Sequence, residues 1–130
     1  MRLYLVRHAK AEQGEPDELR RLTPDGLAAA RELGRRLAGD GVEPDAVLTS
    51  PLLRARETAE EIARATGIEA EPVEQLRPGA TAADVTETVA GRGETVVIVG
   101  HQPDCGQIAA ALTDGSEPDF PPAGMIVIDL

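Results

Sequence analysis

The chain has 130 residues and a formal net charge of −10, a combination that excludes several classes of protein. Its length fits one domain over residues 1–130, and 42% apolar with 28% charged residues is typical of a globular protein. An acidic chain repels phosphate backbones and only 2% of its residues are aromatic, so we expect no binding to nucleic acid. The single cysteine cannot form an internal disulfide, and no apolar run has the length of a signal peptide or membrane span. We therefore expect a cytoplasmic protein with no membrane association.

Apolar runs typical of strands buried on both faces alternate with stretches of helical spacing. In chain order these predict a strand over 3–6 (LYLV), a helix from Pro24 that stops at Gly41, a strand over 46–49 (AVLT), a helix from Pro51 that stops at Gly67, a helix from Thr81 to about Gly91, a strand over 95–99 (TVVIV), a helix from Pro103 to about Leu112, and a strand over 124–130 (GMIVIDL). Long irregular loops are expected at 10–22 and 116–124. This alternation predicts a three-layer α/β/α sandwich whose sheet is mainly parallel, with at least one antiparallel strand.

The helix starts carry recognisable capping patterns. Thr23 and Ser50 each precede a proline and are the expected N-caps of the first two helices. Thr81 is followed three residues later by Asp84, which resembles a capping box at the third helix. These signals set the predicted boundaries.

Basic side chains follow three of the predicted strands. Arg7 and His8 follow the first, Arg54 lies in the first turn of the helix after the second, and His101 follows the third. Ligands of parallel sheets bind at the carboxyl ends of the strands, so these four side chains are expected on one rim. A neutral imidazole is a nucleophile at phosphorus, guanidinium groups neutralise phosphoryl oxygens, and a second histidine adds a proton-linked hydrogen bond. The pattern predicts phosphoryl transfer that needs neither a metal nor a cofactor.

Three segments resemble the signature blocks of the histidine phosphatase superfamily, the phosphoglycerate mutase-like enzymes. They are LVRHAKAE over 5–12, TSPLLRARETAE over 49–60 and VIVGHQP over 97–103, in the order found in that family. The small size and the segment RRLTPDG over 20–26 resemble its compact phosphohistidine phosphatase branch, the SixA type. The resemblance implies a phosphoglycerate mutase-like fold and phosphatase activity.

The resemblance also implies a role for each site residue. His8 is the expected phosphorylated nucleophile, Arg7 and Arg54 are expected to bind phosphate, and His101 completes the pocket. Arg20 matches an additional arginine of the compact branch, with Arg21 as the alternative in the neighbouring register. Alanine after the first histidine, where the larger family has glycine, is also seen in the compact branch.

Many members of the superfamily carry a general-acid glutamate that has no clear counterpart here. The corresponding region, VEQLRPGATAAD over 73–84, offers Glu74 outside the usual Leu-x-Glu setting, and it ends at Asp84. An ester expels a basic alkoxide that needs a proton, whereas phosphohistidine expels an imidazole with a pKa of about 6.5. This difference favours phosphohistidine as substrate, and whether Glu74 or Asp84 reaches the site stays open.

Other interpretations of these residues remain. Arg54 could pair with Glu57 or Glu61 as a solvated surface contact, and Cys105 could join Asp104 or a histidine in a metal site. We favour packing for Cys105 because it lies inside a predicted helix.

At the level of function there are two rivals to a phosphohistidine phosphatase. One is a phosphatase for small phosphate esters, and the other is a phosphate-binding module without catalysis. The expected partner is accordingly a phosphorylated protein or a small phosphorylated substrate, and the expected state of the chain is a monomer.

Overall fold

Five strands and four α-helices alternate along the chain in a computed structural model that describes residues 1–130. In order, the elements are β1 (Arg2–Arg7), a 3-10 helix (Asp17–Leu19), α1 (Pro24–Gly39), β2 (Ala46–Thr49), α2 (Leu53–Thr66), β3 (Ala70–Pro72), a second 3-10 helix (Glu74–Leu76), α3 (Ala82–Val89), β4 (Thr95–Gly100), α4 (Asp104–Thr113) and β5 (Met125–Asp129). Every predicted strand and helix is present, which confirms the α/β class. None of the helices combines the length and apolarity needed to cross a membrane.

The strands form one sheet in the order β3-β2-β4-β1-β5. β1, β2, β3 and β4 are parallel, and β5 is antiparallel to β1 at the edge. The register places Arg7 beside Gly100, so β1 and β4 end level with each other. This confirms the mainly parallel sheet with an antiparallel strand.

The core lies on both faces of the sheet, because successive strand residues point in opposite directions. On β1, Leu3 and Leu5 belong to one apolar cluster with α3 and α4. Tyr4 and Val6 belong to another cluster with α1 and α2. The sheet is therefore covered on both sides, and the three-layer α/β/α prediction is confirmed.

The start of α2 differs from the prediction. Ser50 and Pro51 were expected as N-cap and first helical residue, but the helix begins at Leu53 with Leu52 as N-cap. The physical reason is that the Ser50 amide still donates to the Val99 carbonyl at 3.0 Å, which extends the pairing of β2 with β4. The predicted caps of α1 and α3 are confirmed, since Thr23 accepts from Gly26 and Thr81 forms a capping box with Asp84.

The sequence did not predict β3 or the two short 3-10 helices. β3 has the sequence AEP, with Glu71 and Pro72 exposed, so it lacks the apolar run that marks the buried strands. It pairs with β2 alone, and proline is tolerated at such an edge position.

The 10–22 loop folds back onto its own start. Ala11 forms an isolated bridge with Leu22, and the Glu12 amide donates to the Arg21 carbonyl at 2.8 Å. A Cβ atom added at Gly26 would lie 2.1 Å from the Lys10 carbonyl oxygen, so only glycine allows α1 to approach the loop this closely. The loop is thus closed at its base, with the first 3-10 helix near its tip.

Candidate active site

The ends of β1, β2 and β4 bring His8, Ser50 and His101 together. The three strands are neighbours in the order β2-β4-β1, with β4 in the middle. Backbone pairing continues one residue past two of the strands, because the His8 amide donates to Gly100 O at 3.0 Å and the Ser50 amide donates to Val99 O at 3.0 Å. The expected rim at the carboxyl ends of the strands is therefore present.

The two imidazole rings face each other edge to face. The ring centroids of His8 and His101 are 5.2 Å apart, and the ring planes meet at 62°. His8 Nδ1 lies 2.7 Å from Ala9 O, and since a carbonyl oxygen only accepts, Nδ1 carries the hydrogen. His8 Nε2 consequently keeps its lone pair free. On the other ring, His101 Nε2 lies 2.7 Å from Ser50 Oγ.

A hydroxyl links the backbone after β1 to helix α2. The Ala9 amide donates to Thr58 Oγ1 at 3.0 Å, and that hydroxyl donates to Arg54 O at 2.9 Å. Ala9 and Thr58 are fully buried. This link fixes the residue after His8 relative to the first turn of α2, where Arg54 lies.

Arg54 and Arg20 converge on one carboxylate. Arg54 is only 6% exposed, and its Nη1 donates to Asp17 O at 2.9 Å while Nη2 lies 3.3 Å from Asp17 Oδ2. Arg20 Nη1 donates to the other carboxylate oxygen, Asp17 Oδ1, at 3.0 Å. The only carboxylate that bonds to a predicted site residue is therefore that of Asp17 on the first 3-10 helix.

Arg7 is held by the 116–124 loop. Its Nη1 donates to Phe120 O at 2.9 Å, and its Nε is buried without a hydrogen bond in the protein. The Arg7 amide donates to Gly124 O at 3.0 Å, and the Ala123 amide donates to His8 O at 3.2 Å. The loop thus closes one side of the site.

Both histidines are held in the neutral form. Burial lowers the pKa of His8 from 6.5 to about 4; the carbonyl of the next residue opposes this shift, and the charges of Arg54, Arg7 and Arg20 add to it. Burial also lowers the pKa of His101 to about 3, with further contributions from His8 and Arg54. A neutral ring with a free nitrogen is the form of histidine that acts as a nucleophile.

We expect neither histidine to titrate near pH 6.5 in the phosphate-free protein. A lowered pKa favours the neutral ring, so protonation of His8 should wait until the pH falls to about 4, and that of His101 until about 3. The chain has only these two histidines, so imidazole C–H resonances followed by NMR from pH 8 to pH 5 report on them directly. Constant shifts are the expected result, and a midpoint near 6.5 for either ring would contradict it.

Of the two candidate arginines in the 10–22 loop, Arg20 lies at the site. Its charge is one of the three that act on the pKa of His8, and it shares Asp17 with Arg54. Arg21 instead donates from Nε to Glu12 Oε2 at 3.3 Å, and its side chain is 74% exposed. The structure therefore brings Arg7, His8, Arg20, Arg54 and His101 together and leaves Arg21 outside.

Neither candidate acid reaches the site. Glu74 is exposed and forms an ion pair with Arg77, the C-cap of its short helix, and this bond lowers the pKa of Glu74. The Asp84 carboxylate accepts from Thr81 N at 2.9 Å, as part of the cap of α3. The sequence left open whether Glu74 or Asp84 reaches the site. In the structure neither does, because both carboxylates are bonded elsewhere.

The alternative interpretations of Cys105 and Arg54 find no structural support. The Cys105 side chain is 1% exposed, and its Sγ lies 3.7 Å from Val6 O. Burial raises the pKa of its thiol to about 12, and no group of three or more His, Cys, Asp or Glu side chains is arranged around a common point. Arg54 bonds to Asp17 rather than to a glutamate of its own helix.

Sequence reasoning missed two residues of the site and misjudged a third. Asp17 lies in a loop with no recognisable pattern, and Thr58 had only the appearance of a polar helix residue. Ser50 was recognised at its strand end but was assigned to capping. Each acts through contacts between residues distant in the chain, so no local signal could have found them.

Comparisons with known proteins agree with this geometry. Residues 3–78 match the sequence profile of the histidine phosphatase superfamily (branch 1). Phosphohistidine phosphatase SixA of Escherichia coli is 30% identical over 125 residues, which cover 91% of this chain and 78% of that protein.

Solved structures share the whole fold. The protein histidine phosphatase SixA complexed with tungstate superposes with a TM-score of 0.90 at 28% identity, covering 100% of this chain and 88% of that one. The putative phosphohistidine phosphatase SixA from Agrobacterium tumefaciens gives a TM-score of 0.85 at 30% identity, covering 98% and 90%. The chain therefore belongs to the histidine phosphatase superfamily, with the SixA type as its branch, and is a phosphatase.

Proposed function

We propose that this phosphatase hydrolyses phosphohistidine carried by a protein, through a phosphoryl group held covalently on His8. The observation that carries the proposal is the state of His8, whose ring is neutral and whose Nε2 is free. It lies among the charges of Arg54, Arg7 and Arg20 and faces His101. A nucleophile surrounded by guanidinium groups suits a phosphoryl group whose oxygens carry negative charge.

In the proposed cycle, His8 Nε2 attacks phosphorus in line with the bond to the leaving imidazole nitrogen. That P–N bond breaks as the new one forms, and the leaving ring, which carries a proton on its other nitrogen, departs as neutral imidazole. A water molecule then attacks the phosphorus on His8 and gives up a proton to solvent; the bond from phosphorus to Nε2 breaks, which releases inorganic phosphate and returns His8 to its neutral form. Arg7, Arg20 and Arg54 bind the phosphoryl oxygens, and His101 donates a hydrogen bond to them. The tungstate complex of the similar SixA chain supports an oxyanion site, because tungstate is a tetrahedral oxyanion like phosphate.

The absence of a free acid supports the substrate class. Asp17 is the only carboxylate bonded to the site residues. Its hydrogen bond to Arg20 lowers its pKa, and a free aspartate in water has a pKa of about 3.9, so it is ionised at neutral pH with or without that bond and is a poor proton donor. An alkoxide leaving group requires such a donor, whereas an imidazole with a pKa of about 6.5 leaves more readily without one. The geometry therefore favours a phosphoramidate over an ester.

The shape of the site supports a protein substrate. None of the three surface cavities is lined by His8, Arg54 or His101, so no cavity sized for a small molecule surrounds the histidine pair. This favours a phosphorylated side chain that projects from another protein over a small molecule that a pocket would enclose. Because one chain supplies every proposed site residue, we propose that it acts as a monomer, and the arginine charges supply the electrophilic assistance without a metal.

We expect phosphate release from a phosphohistidine peptide to exceed that from ester phosphates by roughly 100-fold or more in kcat/KM, the scale of general acid catalysis. The measurement is a steady-state comparison at pH 7.5 with a chelator present, using sugar, nucleotide and phosphoserine esters at matched concentrations. A preference for an ester would assign the chain to the small-molecule phosphatases. Binding of phosphate without turnover of any substrate would assign it to the non-catalytic modules.

A further inference from the structure

The Asp17 carboxylate bridges the two guanidinium groups that the proposed function gives to phosphate. One of its oxygens lies 3.0 Å from Arg20 Nη1, and the other lies 3.3 Å from Arg54 Nη2. A tetrahedral phosphoryl group would bind the two guanidinium groups in the same way, with one of its oxygens on each. Asp17 and phosphate therefore compete for the same donors.

We propose that Asp17 is an internal anion that occupies the phosphate position between Arg20 and Arg54 in the empty enzyme, and that it sets the affinity for phosphate by leaving this position when phosphate binds. This inference rests on the proposed function for the identity of the incoming anion. It assigns to Asp17 control of the affinity for phosphate, a function that no motif of the sequence indicates. One consequence is weaker product inhibition, because free phosphate must displace the carboxylate.

The burial of Arg54 explains why such an anion is present. Arg54 is 6% exposed, and a buried guanidinium without a counter-charge is strongly destabilising. Asp17 supplies that charge when the site is empty, and it holds both arginines where the phosphoryl group will need them. The arginines are thus ordered before substrate arrives, but the Asp17 carboxylate that orders them also competes with phosphate and lowers its affinity.

The exchange requires no unfolding of the loop. Asp17 is held by a second contact, since Arg54 Nη1 donates to its backbone carbonyl at 2.9 Å. Its side chain is 51% exposed, so rotation about Cα–Cβ turns the carboxylate into solvent while the backbone bond stays. The charge of the same carboxylate also raises the pKa of His101, against the effect of burial, so Asp17 acts on both arginines and on the second histidine.

Binding of inorganic phosphate, measured by isothermal titration calorimetry at pH 8, tests the inference directly. We expect Asp17→Asn and Asp17→Ala each to lower the Kd for phosphate roughly 5- to 10-fold, a coupling of the usual size between two ligands of one site. Glu18→Gln is the matched control. It removes the same charge from the neighbouring residue of the same 3-10 helix, and Glu18 forms no ion pair.

The outcomes separate this inference from the function on which it rests. An unchanged or higher Kd in both Asp17 variants would overturn it, and so would an equal decrease in Glu18→Gln, because the effect would then be one of net charge. Failure of the proposed function would show instead in the wild type, as an absence of turnover on phosphohistidine. The comparison of phosphate affinities needs no turnover and remains decisive in that case.

Discussion

His8→Ala is expected to abolish turnover and covalent phosphorylation together, with a loss in kcat of at least about 10⁴-fold, the scale seen when a nucleophile is removed. The physical reason is that Nε2 of His8 is unbonded, belongs to a neutral ring and lies among the arginine charges. The ring of His101 does not replace it, because its Nε2 is engaged 2.7 Å from Ser50 Oγ and, in the proposed cycle, its other nitrogen donates to the phosphoryl group. Mass spectrometry of samples that are quenched rapidly and without acid should detect the added phosphoryl group on His8 of the wild type and no such group on the variant.

The affinity of the same variant for inorganic phosphate provides the control. Arg7, Arg20 and Arg54 remain in place in His8→Ala, so the Kd for phosphate should stay within about threefold of the wild-type value, a change of less than 1 kcal/mol. Retained binding with lost turnover would show that the pocket is intact. Retained turnover, or a phosphoryl group found on His101, would contradict the assignment of the nucleophile.

Arg54→Ala is expected to lower kcat/KM by roughly 10²- to 10³-fold, as removal of one positioned donor to a developing oxyanion does elsewhere. Two effects combine in this loss. The guanidinium no longer binds the phosphoryl oxygens, and the 3-10 helix loses the bond from Arg54 Nη1 to Asp17 O. Arg54→Lys should recover little of the rate, because a lysine ammonium cannot form the two-pronged contact of a guanidinium.

Arg64→Ala on the same helix is the matched control for Arg54. Its side chain is 67% exposed and pairs with Glu61, which bonds to Arg31 and Arg64 and to none of the proposed site residues. We expect its kcat/KM to stay within about twofold of wild type, since Arg64 lies about 15 Å farther along the helix than Arg54 and Arg31 still pairs with Glu61. Steady-state kinetics on a phosphohistidine peptide would distinguish the two positions. An equal loss in both variants would show that the effect comes from net charge or folding and not from phosphate binding by Arg54.

Much of the fold was predictable because its signals are local. Buried parallel strands lack polar alternation, and the segments LYLV, AVLT and TVVIV show this directly. The caps at Thr23 and Thr81 depend on residues only three positions apart. The strand β3 escaped prediction because its three residues carry no apolar run, and only its pairing with β2 makes it a strand.

At Ser50, pairing with a residue distant in the chain overrides the structure that the local sequence pattern predicts. The dipeptide Ser50-Pro51 has the pattern of a helix start, yet the pairing of Ser50 with Val99 keeps it in the sheet. Its hydroxyl then lies beside His101, 51 positions away in the chain. A capping motif is worth about 1 kcal/mol, and the hydrogen bonds of a central sheet can outweigh it.

The sequence by itself determined the order of the α-helices and of every strand except β3, the family, and four side chains that the structure brings together: Arg7, His8, Arg54 and His101. It could do so because periodicity and short motifs are properties of neighbouring residues, and because parallel strands deliver their carboxyl ends to one edge. Tertiary structure alone decided that Arg20 rather than Arg21 faces the site and that Asp17 occupies the space between Arg20 and Arg54. These outcomes depend on a loop that brings Asp17 against Arg54, 37 positions later, and loop closure of that kind leaves no periodic trace in the sequence.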